Sequence, residues 1–471
     1  MSSRNNIEIG ARKESRVRTA AWIVASTLFP ALAVTSTADA PVAVSDDRAA
    51  YLECLHDGRF SAAVEKNASG KDDAERRFFA AFITYWRLVF DDDNTKLQAL
   101  LDHQLETVVS AAEAAARDGT GTPFLWGGNG HLLLGQLRAW EKRPMAAAFE
   151  AKKAKRALET AVTNGAAAPD AYFGLGTYNY MADALPGFVK GLRALLFIPP
   201  GNKARGLEQL ETAARESRFF AFEARVLLVT IYANRHEKQY ARAIEQRDRL
   251  IAQAPDTVAS LYASARLDIS LGRNDAAIAA LDRASRRAGR FRDVDPVVLR
   301  SIDLLRARAE FGALRPDLAG ETARAALASG AGLSPSIHQD LTQIVAASER
   351  LAQGVDWSAL PDAAATADAA AAIEAYAGSK PDRPMLALLA GDANLRAGRA
   401  TQASEWLERA SSSNLPPAAK AGCQLRQGQA ADLLGQRAKA LEFYKRAAET
   451  PGFSAKDAAF FYSQAPFRAG A

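Results

Sequence analysis

Two neighbouring stretches near the carboxyl end indicate the fold: residues 398–416, GRATQASEWLERASSSNLP, and residues 435–451, GQRAKALEFYKRAAETP. Both follow the spacing Gly-x4-Ala-x3-large-x2-Ala, and the second copy starts 37 residues after the first. The large residue is Leu407 in one copy and Tyr444 in the other. Recurrence at such a period is typical of repeat architectures. We therefore expect an array of similar units.

The same frame continues toward the amino terminus. A copy at Gly272 is followed by Ala277, Leu281 and Ala284. Looser copies share the spacing, and they lie at Ala243-Arg247-Leu250, Gly206-Leu210-Ala213, Ala319-Ala323-Ala326, Ala154-Leu158-Ala161 and residues 58–63. The Ala243 copy precedes the Ala277 copy by 34 residues. Ala at helical spacing could also belong to an irregular helical domain, but in such a domain the frame would not recur repeatedly after 34 or 37 residues.

A pair of antiparallel helices explains this spacing. Small residues allow two helix backbones to approach closely, and a large residue fills the groove to the next pair. Gly turns the chain between the helices and Pro follows the second one. The chain contains 102 Ala among 471 residues, and Ala is the strongest intrinsic helix former. The sequence therefore predicts an all-α protein.

These motifs resemble the tetratricopeptide repeat (TPR), a helix-turn-helix unit of 34 residues with Ala-x3-Phe and a closing Pro in its second helix. The resemblance covers residues 385–455 and 221–287 well and the other copies loosely. Two departures are that Arg247 takes the large position and that the Trp and Tyr typical of the first helix are mostly replaced. The resemblance implies a right-handed α-solenoid of stacked helix pairs.

The period is interrupted between the frames at Ala154 and Gly206, which lie about 18 residues too far apart. We therefore expect an inserted loop or helix within residues 172–201. Insertions in repeat arrays often lie on the binding face, so we expect this segment to take part in binding. The motifs Gly174-Leu175-Gly176-x-Tyr178, Leu185-Pro186 and Pro199-Pro200-Gly201 also resemble the TPR family of the inclusion-body clearance protein. That resemblance implies another helical adaptor.

Within this segment, residues 188–198 (FVKGLRALLFI) are apolar apart from Lys190 and Arg193. Eleven residues are too few to span a bilayer. The stretch could pack on the array, contact a membrane surface or receive a partner helix. Aromatic side chains provide most anchor energy in grooves, so the predicted partner-binding residues are Tyr178, Tyr180 and Phe188, with Arg193 as a charge at the rim.

The amino terminus has the order of a secretory signal. Four bases between Arg12 and Arg18 precede the uncharged run 19–36, and small residues follow it. We expect residues 1–38 to be cleaved, so that the mature chain starts at Asp39 in the periplasm. The alternative is an uncleaved segment that anchors the chain to the inner membrane.

The sequence offers no recognisable chemistry. Each of the five His stands alone, the two Cys lie far apart, and neither a P-loop nor a nucleophile elbow is present. Residues 124–131 (FLWGGNGH) read as a tight turn before a helix at 132–140. Without residues 1–38 the net charge falls from +5 to +2, which gives no argument for nucleic-acid binding. We expect neither metal nor cofactor.

The predicted organisation therefore has six parts. They are a signal peptide (1–38), an amino-terminal helical region (39–118), divergent repeats with an insertion (119–217), TPR-like repeats (218–350), an Ala/Pro-rich unit or hinge (351–384) and a carboxyl-terminal TPR pair with a tail (385–471). The function this favours is a non-catalytic exported scaffold that binds a protein or peptide in the cell envelope. The alternative is an envelope enzyme, or a component handling lipid or polysaccharide, that uses residues 172–201.

Overall fold

A computed structural model describes residues 45–68, 73–184, 199–234, 236–329, 334–361, 366–450 and 455–468. These ranges contain twenty-one α-helices, two short 3-10 turns and no strand. The predicted signal peptide, Phe188 and Arg193 lie outside them. None of the described helices combines the length and apolar content needed to cross a bilayer.

The chain divides into two compact units. The first extends to Ser260 and includes Arg287–Val298, and the second contains Leu261–Arg286 and everything from Leu299 onward. The first ten helices belong to the first unit. They are α1 (Asp46–His56), α2 (Phe60–Asn67), α3 (Asp73–Phe90), α4 (Thr95–Ala115), α5 (Gly121–Trp140), α6 (Pro144–Thr163), α7 (Ala168–Asp183), α8 (Lys203–Glu216), α9 (Ala221–Ala233) and α10 (Tyr240–Gln253).

The unit boundaries fall inside the next three helices, and the remaining eight belong to the second unit. The three are α11 (Val258–Ser270), α12 (Asn274–Ala288) and α13 (Pro296–Gly312). The eight are α14 (Pro316–Ala328), α15 (Pro335–Ala352), α16 (Ala367–Ser379), α17 (Pro384–Arg396), α18 (Ala400–Ser411), α19 (Pro417–Leu433), α20 (Arg437–Glu449) and α21 (Ala455–Gln464).

Helices that follow one another pack as hairpins. In the first unit α5 packs on α6, α7 on α8 and α9 on α10, and in the second unit α14 packs on α15, α17 on α18 and α19 on α20. The first helices of successive pairs also touch, as α5 does with α7 and α17 with α19. The predicted all-α solenoid of stacked helix pairs is therefore confirmed.

The small-large-small frame forms the packing surface of one helix in each of these pairs. It lies on the second helix except in the pair of α14 and α15, where it lies on α14. Its buried members are Ala63, Ala154, Leu158, Ala161, Gly206, Leu210, Ala213, Ala243, Leu250, Ala277, Leu281, Ala284, Ala319, Ala323, Ala326, Ala403, Leu407, Ala410, Ala440, Tyr444 and Ala447. Arg247, at the one polar large position, is half-buried. The glycines that open the two carboxyl-terminal copies turn the chain, because Gly398 and Gly435 have φ of 72° and 73°, where glycine is favoured.

The tight turn predicted at residues 124–131 is wrong, because the whole stretch lies inside α5. Its glycines serve close helix packing instead of a turn. A Cβ on Gly128 would lie 2.6 Å from Cγ of Leu158 on α6, and one on Gly127 would lie 3.0 Å from Cβ of Ala112 on α4. The absence of side chains thus lets α5 approach both neighbouring helices.

The insertion is shorter than the sequence suggested. Residues 172–183 are not inserted, since they lie in α7, which pairs with α8 as the first helix of a regular hairpin. The extra residues therefore fall between Asp183 and Lys203, mostly in the part of the chain outside the described ranges.

Candidate functional site

Both predicted tyrosines lie on α7 and point into the protein. Tyr178 is 3% exposed, and its hydroxyl donates to the carbonyl oxygen of Pro199 at 2.6 Å. Tyr180 is 5% exposed, and its hydroxyl donates to Oε1 of Glu237 at 2.9 Å. Burial, reinforced by the Glu237 carboxylate, raises the pKa of Tyr180 well above its usual value. Both side chains are therefore built into the first unit.

Of the four predicted residues the structure describes only these two tyrosines, and Phe188 and Arg193 lie outside the described ranges. It does show how the neighbouring chain is held. The Tyr178 hydroxyl binds Pro199, and Oδ2 of Asp183 accepts from the backbone N–H of Lys203 at 3.2 Å. Pro199 and the first residue of α8 are thus both bound to α7. The role of the four residues in partner binding stays a prediction.

Glycines in this region bring α7 and α8 into backbone contact. A Cβ on Gly206 would lie 2.5 Å from the backbone nitrogen of Tyr180 and 2.8 Å from the carbonyl oxygen of Gly176. Beside this contact, the amide of Asn179 donates to Oε1 of Gln209 at 2.7 Å. The Gly-Leu-Gly motif is therefore a helix-packing motif in this chain.

The interior of the first unit is aromatic, which sequence reasoning missed. Phe78 and Phe79 on α3 each lie 5.3 Å from the ring of Trp126 on α5, and Phe82 lies 6.0 Å from Phe220, which precedes α9. The signal was present in the run FFAAFITYW at residues 78–86, whose aromatic residues recur at helical spacing. Aromatic pairs add stabilisation beyond area burial, so α3 is a central element of this core.

A His–Glu pair lies at the edge of the same core. Nε2 of His56 is 3.2 Å from Oε1 of Glu223, and both residues are buried. The imidazole stacks on Phe222 with 3.8 Å between centroids and meets Trp86 edge-on. Residues on α1, α3 and α9 are joined by this arrangement, which makes it a packing contact between distant segments.

In the second unit an ion cluster joins helices that are not neighbours along the chain. Asp392 on α17 binds Arg396 at 2.8 Å and also pairs with Arg426 on α19. Arg426 donates to the carbonyl oxygen of Gly312 at the end of α13, at 3.0 Å. Asp275 at the start of α12 pairs with Arg396 and with Arg315. The acidic and basic side chains of this cluster therefore neutralise one another.

An open depression of about 480 Å³ lies beside the start of α3 and the middle of α4. It is lined by Asp73, Arg77, His103, Glu106, Thr107, Ser110 and Ala111. Nε of Arg77 donates to Asp73 at 2.7 Å, and this hydrogen bond lowers the pKa of Asp73. The Asp73 carboxylate is thus already bound by a guanidinium that also lines the depression.

The described residues hold no cluster of three His, Cys, Asp or Glu side chains arranged for a metal ion. Both cysteines are buried and unbridged. Burial raises the pKa of the Cys423 thiol to about 12 and also raises that of Cys54. A protonated, buried thiol is a poor nucleophile, so both cysteines serve packing.

Comparison with known proteins finds similarity to solved structures at low sequence identity. No protein-family model matches it, and no curated protein does. Yeast Tom70 is 12% identical, with a TM-score of 0.34, covering 90% of this chain and 89% of that chain. The P58(IPK) TPR domain is 14% identical, with a TM-score of 0.26, covering 90% and 100%. Human IFIT1, as a dimer with m7Gppp-AAAA, is 12% identical, with a TM-score of 0.26, covering 88% and 85%.

Proposed function

We propose that this protein is a non-catalytic, exported scaffold of the TPR type that binds a protein or peptide partner in the cell envelope. The observation that carries the proposal is the buried frame, in which each helix pair uses its small-large-small residues on its neighbours. Such stacking leaves extended helical faces available to a partner. Export rests on the residues of the predicted signal peptide, 1–38.

Two of the titratable groups with displaced pKa values, Glu310 and Tyr444, lie in helix packing, which favours a non-catalytic role. Enzymes hold such groups in a cleft open to substrate. Here Glu310 is buried and accepts from the Thr322 hydroxyl at 2.8 Å, and the Tyr444 hydroxyl donates to Asp432 at 2.7 Å. Burial raises the pKa of both Glu310 and Tyr444. Each is engaged in helix packing.

For the partner contact we propose Phe188 and Arg193, with Tyr178 and Tyr180 as supports. The stretch that contains Phe188 and Arg193 connects two fixed points, Asp183 and Pro199. An apolar, basic segment held at both ends can present its side chains with less loss of chain entropy than a free tail. A partner helix or extended peptide with an apolar face and an acidic rim would suit it.

The test is cross-linking of the tagged full-length protein in its native cells, followed by mass spectrometry of the attached partners and the amino terminus. We expect a recurrent protein cross-linked within residues 172–201 and a chain that starts at Asp39. Cross-linking should fall for Phe188→Ala/Arg193→Glu and persist for the surface control Leu441→Ala/Lys445→Glu on α20.

Three outcomes would each remove one part of the proposal. The absence of any recurrent protein argues against the scaffold. Undiminished cross-linking of Phe188→Ala/Arg193→Glu argues against these contact residues, and an intact amino terminus argues against export and cleavage.

A further inference from the structure

The outward face of α6 carries an exposed apolar pair. Met145 is 43% exposed and Phe149, one turn later, is 44% exposed. At about 100° per residue, Met145, Phe149, Lys152 and Arg156 fall within about 60° of arc and about 17 Å of length. We call these four residues, together with Lys142 just before the helix, the α6 stripe. The inward side of α6 packs on α5 through buried Leu158.

The stripe has an unbalanced positive charge. All three acids of residues 141–163 are paired with other cations: Glu141 with Arg138 and Arg143, Glu150 with His131 and Lys153, and Glu159 with Lys155. Lys142, Lys152 and Arg156 pair with no carboxylate in the described part of the chain. Three free cations thus surround two exposed apolar side chains.

Other second helices differ from α6 at their surfaces. On α10, Arg249 pairs with Glu245 and Arg247 with Asp248. On α20, Leu441 is 40% exposed, but its neighbour Glu442 is an exposed acid that pairs with Arg446. Among these three helices, α6 is therefore distinguished by two exposed apolar side chains beside three cations that have no carboxylate partner in the described part of the chain.

The shape of the stripe favours a bilayer over a partner helix. A docked helix needs apolar anchors over two or more turns and a groove to enter. The α6 stripe has its apolar pair within a single turn, and its next members are Lys152 and Arg156. A bilayer surface requires neither a groove nor anchors over several turns, because apolar side chains enter between headgroups while long cationic side chains reach the phosphates.

We propose that the α6 stripe docks this protein on an anionic lipid surface. Met145 and Phe149 enter the interface between headgroups and acyl chains, and Lys142, Lys152 and Arg156 bind lipid phosphates. Each cation near an anionic surface strengthens binding about fivefold. This docking does not depend on the proposed scaffold function, since it uses residues remote in sequence from 185–198.

Vesicle co-sedimentation of the full-length chain tests the proposal. The probes are vesicles of phosphatidylcholine alone and of equal parts phosphatidylcholine and phosphatidylglycerol. The test variant is Phe149→Ser/Lys152→Glu, and the matched control is Leu441→Ser/Lys445→Glu on α20, which likewise replaces one exposed apolar side chain and one lysine. Thermal unfolding checks that each variant is folded. Every protein compared is full-length, so any contribution of residues 1–44 to vesicle binding is the same in each.

We expect the wild-type chain to bind the anionic vesicles and to be released by high salt, because salt screens exposed charges. The test variant should bind at least tenfold more weakly, and the control should bind as wild type. The proposal is overturned if the wild-type chain ignores anionic vesicles or if the test variant binds them undiminished. It is also overturned if the stripe proves necessary only for capture of an acidic protein segment in cells.

Discussion

Asp57 and Arg287 lie 230 positions apart in the chain and form a bidentate ion pair in the first unit. Nε of Arg287 is 3.1 Å from both carboxylate oxygens, and Nη2 is 2.5 Å from Oδ2. Asp57 is fully buried and also accepts from the backbone N–H of Val258 at 3.2 Å. The turn between α1 and α2 is thereby attached to the end of α12 and the start of α11.

Arg287→Ala should destabilise the protein by about 3–5 kcal/mol, because it leaves the buried Asp57 carboxylate without its hydrogen-bonded ion-pair partner. The double variant Asp57→Ala/Arg287→Ala should lose less than the sum of the two single variants, since neither charge is then isolated. Urea unfolding measures both effects. Arg290→Ala, at an exposed position, is the control and should change little. Strict additivity would show that the pair is not coupled.

Gly206→Ala should destabilise by about 3 kcal/mol, because its Cβ would meet backbone atoms of Tyr180 and Gly176 that cannot rotate away. The matched control is Gly378→Ala near the end of α16, where a Cβ meets nothing within 4 Å. Ala favours a helix over Gly by up to about 1 kcal/mol. We therefore expect opposite shifts of the melting temperature, and equal shifts would contradict the close approach of α7 and α8.

Asp392 should make the second unit sensitive to acid. Burial alone would raise its pKa, but the guanidinium groups of Arg396 and Arg426 outweigh burial and lower it. The folded state therefore prefers the ionised form. The resulting stability is fully present above the unfolded carboxyl pKa of about 3.9 and is lost as the pH falls through the lower folded value.

Asp392→Asn should therefore cost about 3–5 kcal/mol at neutral pH, because it leaves the guanidinium of Arg426 without its carboxylate and that of Arg396 with Asp275 alone. It should also flatten the loss of stability below about pH 4. Denaturant unfolding across this pH range measures both, with Asp382→Asn, a largely exposed carboxylate, as the control. An unchanged acid slope in Asp392→Asn would assign the acid sensitivity to other groups.

Tyr180→Phe should cost about 1 kcal/mol, because it removes the hydrogen bond to Glu237 and keeps the buried ring. The loss stays moderate because Oε2 of Glu237 retains its ion pair with Lys203 at 2.6 Å. Thermal unfolding measures the change. If Tyr180 acts only as a support, cross-linking to the partner should survive in this variant, whereas a loss of partner at full stability would make the hydroxyl a contact group.

The repeat could be predicted from residue spacing, because the residues that pack on a neighbouring helix lie only three or four positions apart in the sequence. Ala403, Leu407 and Ala410 share one face of α18 simply through their separation along the helix, and all three are buried. The glycines of residues 124–131 show the limit of such reasoning. Gly can turn a chain or admit a neighbouring helix, and only the position of Leu158 against Gly128 decides between the two.

The candidate site was predictable only in part, for a related reason. The aromatic character of Tyr178 and Tyr180 is visible in the sequence, but whether each ring faces a groove or the core depends on where Pro199 and Glu237 lie. The α6 stripe likewise required knowing which lysines have partners. Lys153 and Lys152 are neighbours in sequence, yet Lys153 pairs with Glu150 and Lys152 does not.

The sequence by itself determined that this protein is a helical array, because helix propensity and the small-large-small frame act over distances of a few residues. Only the tertiary structure decided how each unit is held together. The pairing of Asp57 with Arg287 and of Asp392 with Arg426 joins residues that are remote along the chain, and no local preference encodes which charge meets which. Those partners are set by how the helices pack on one another within each unit.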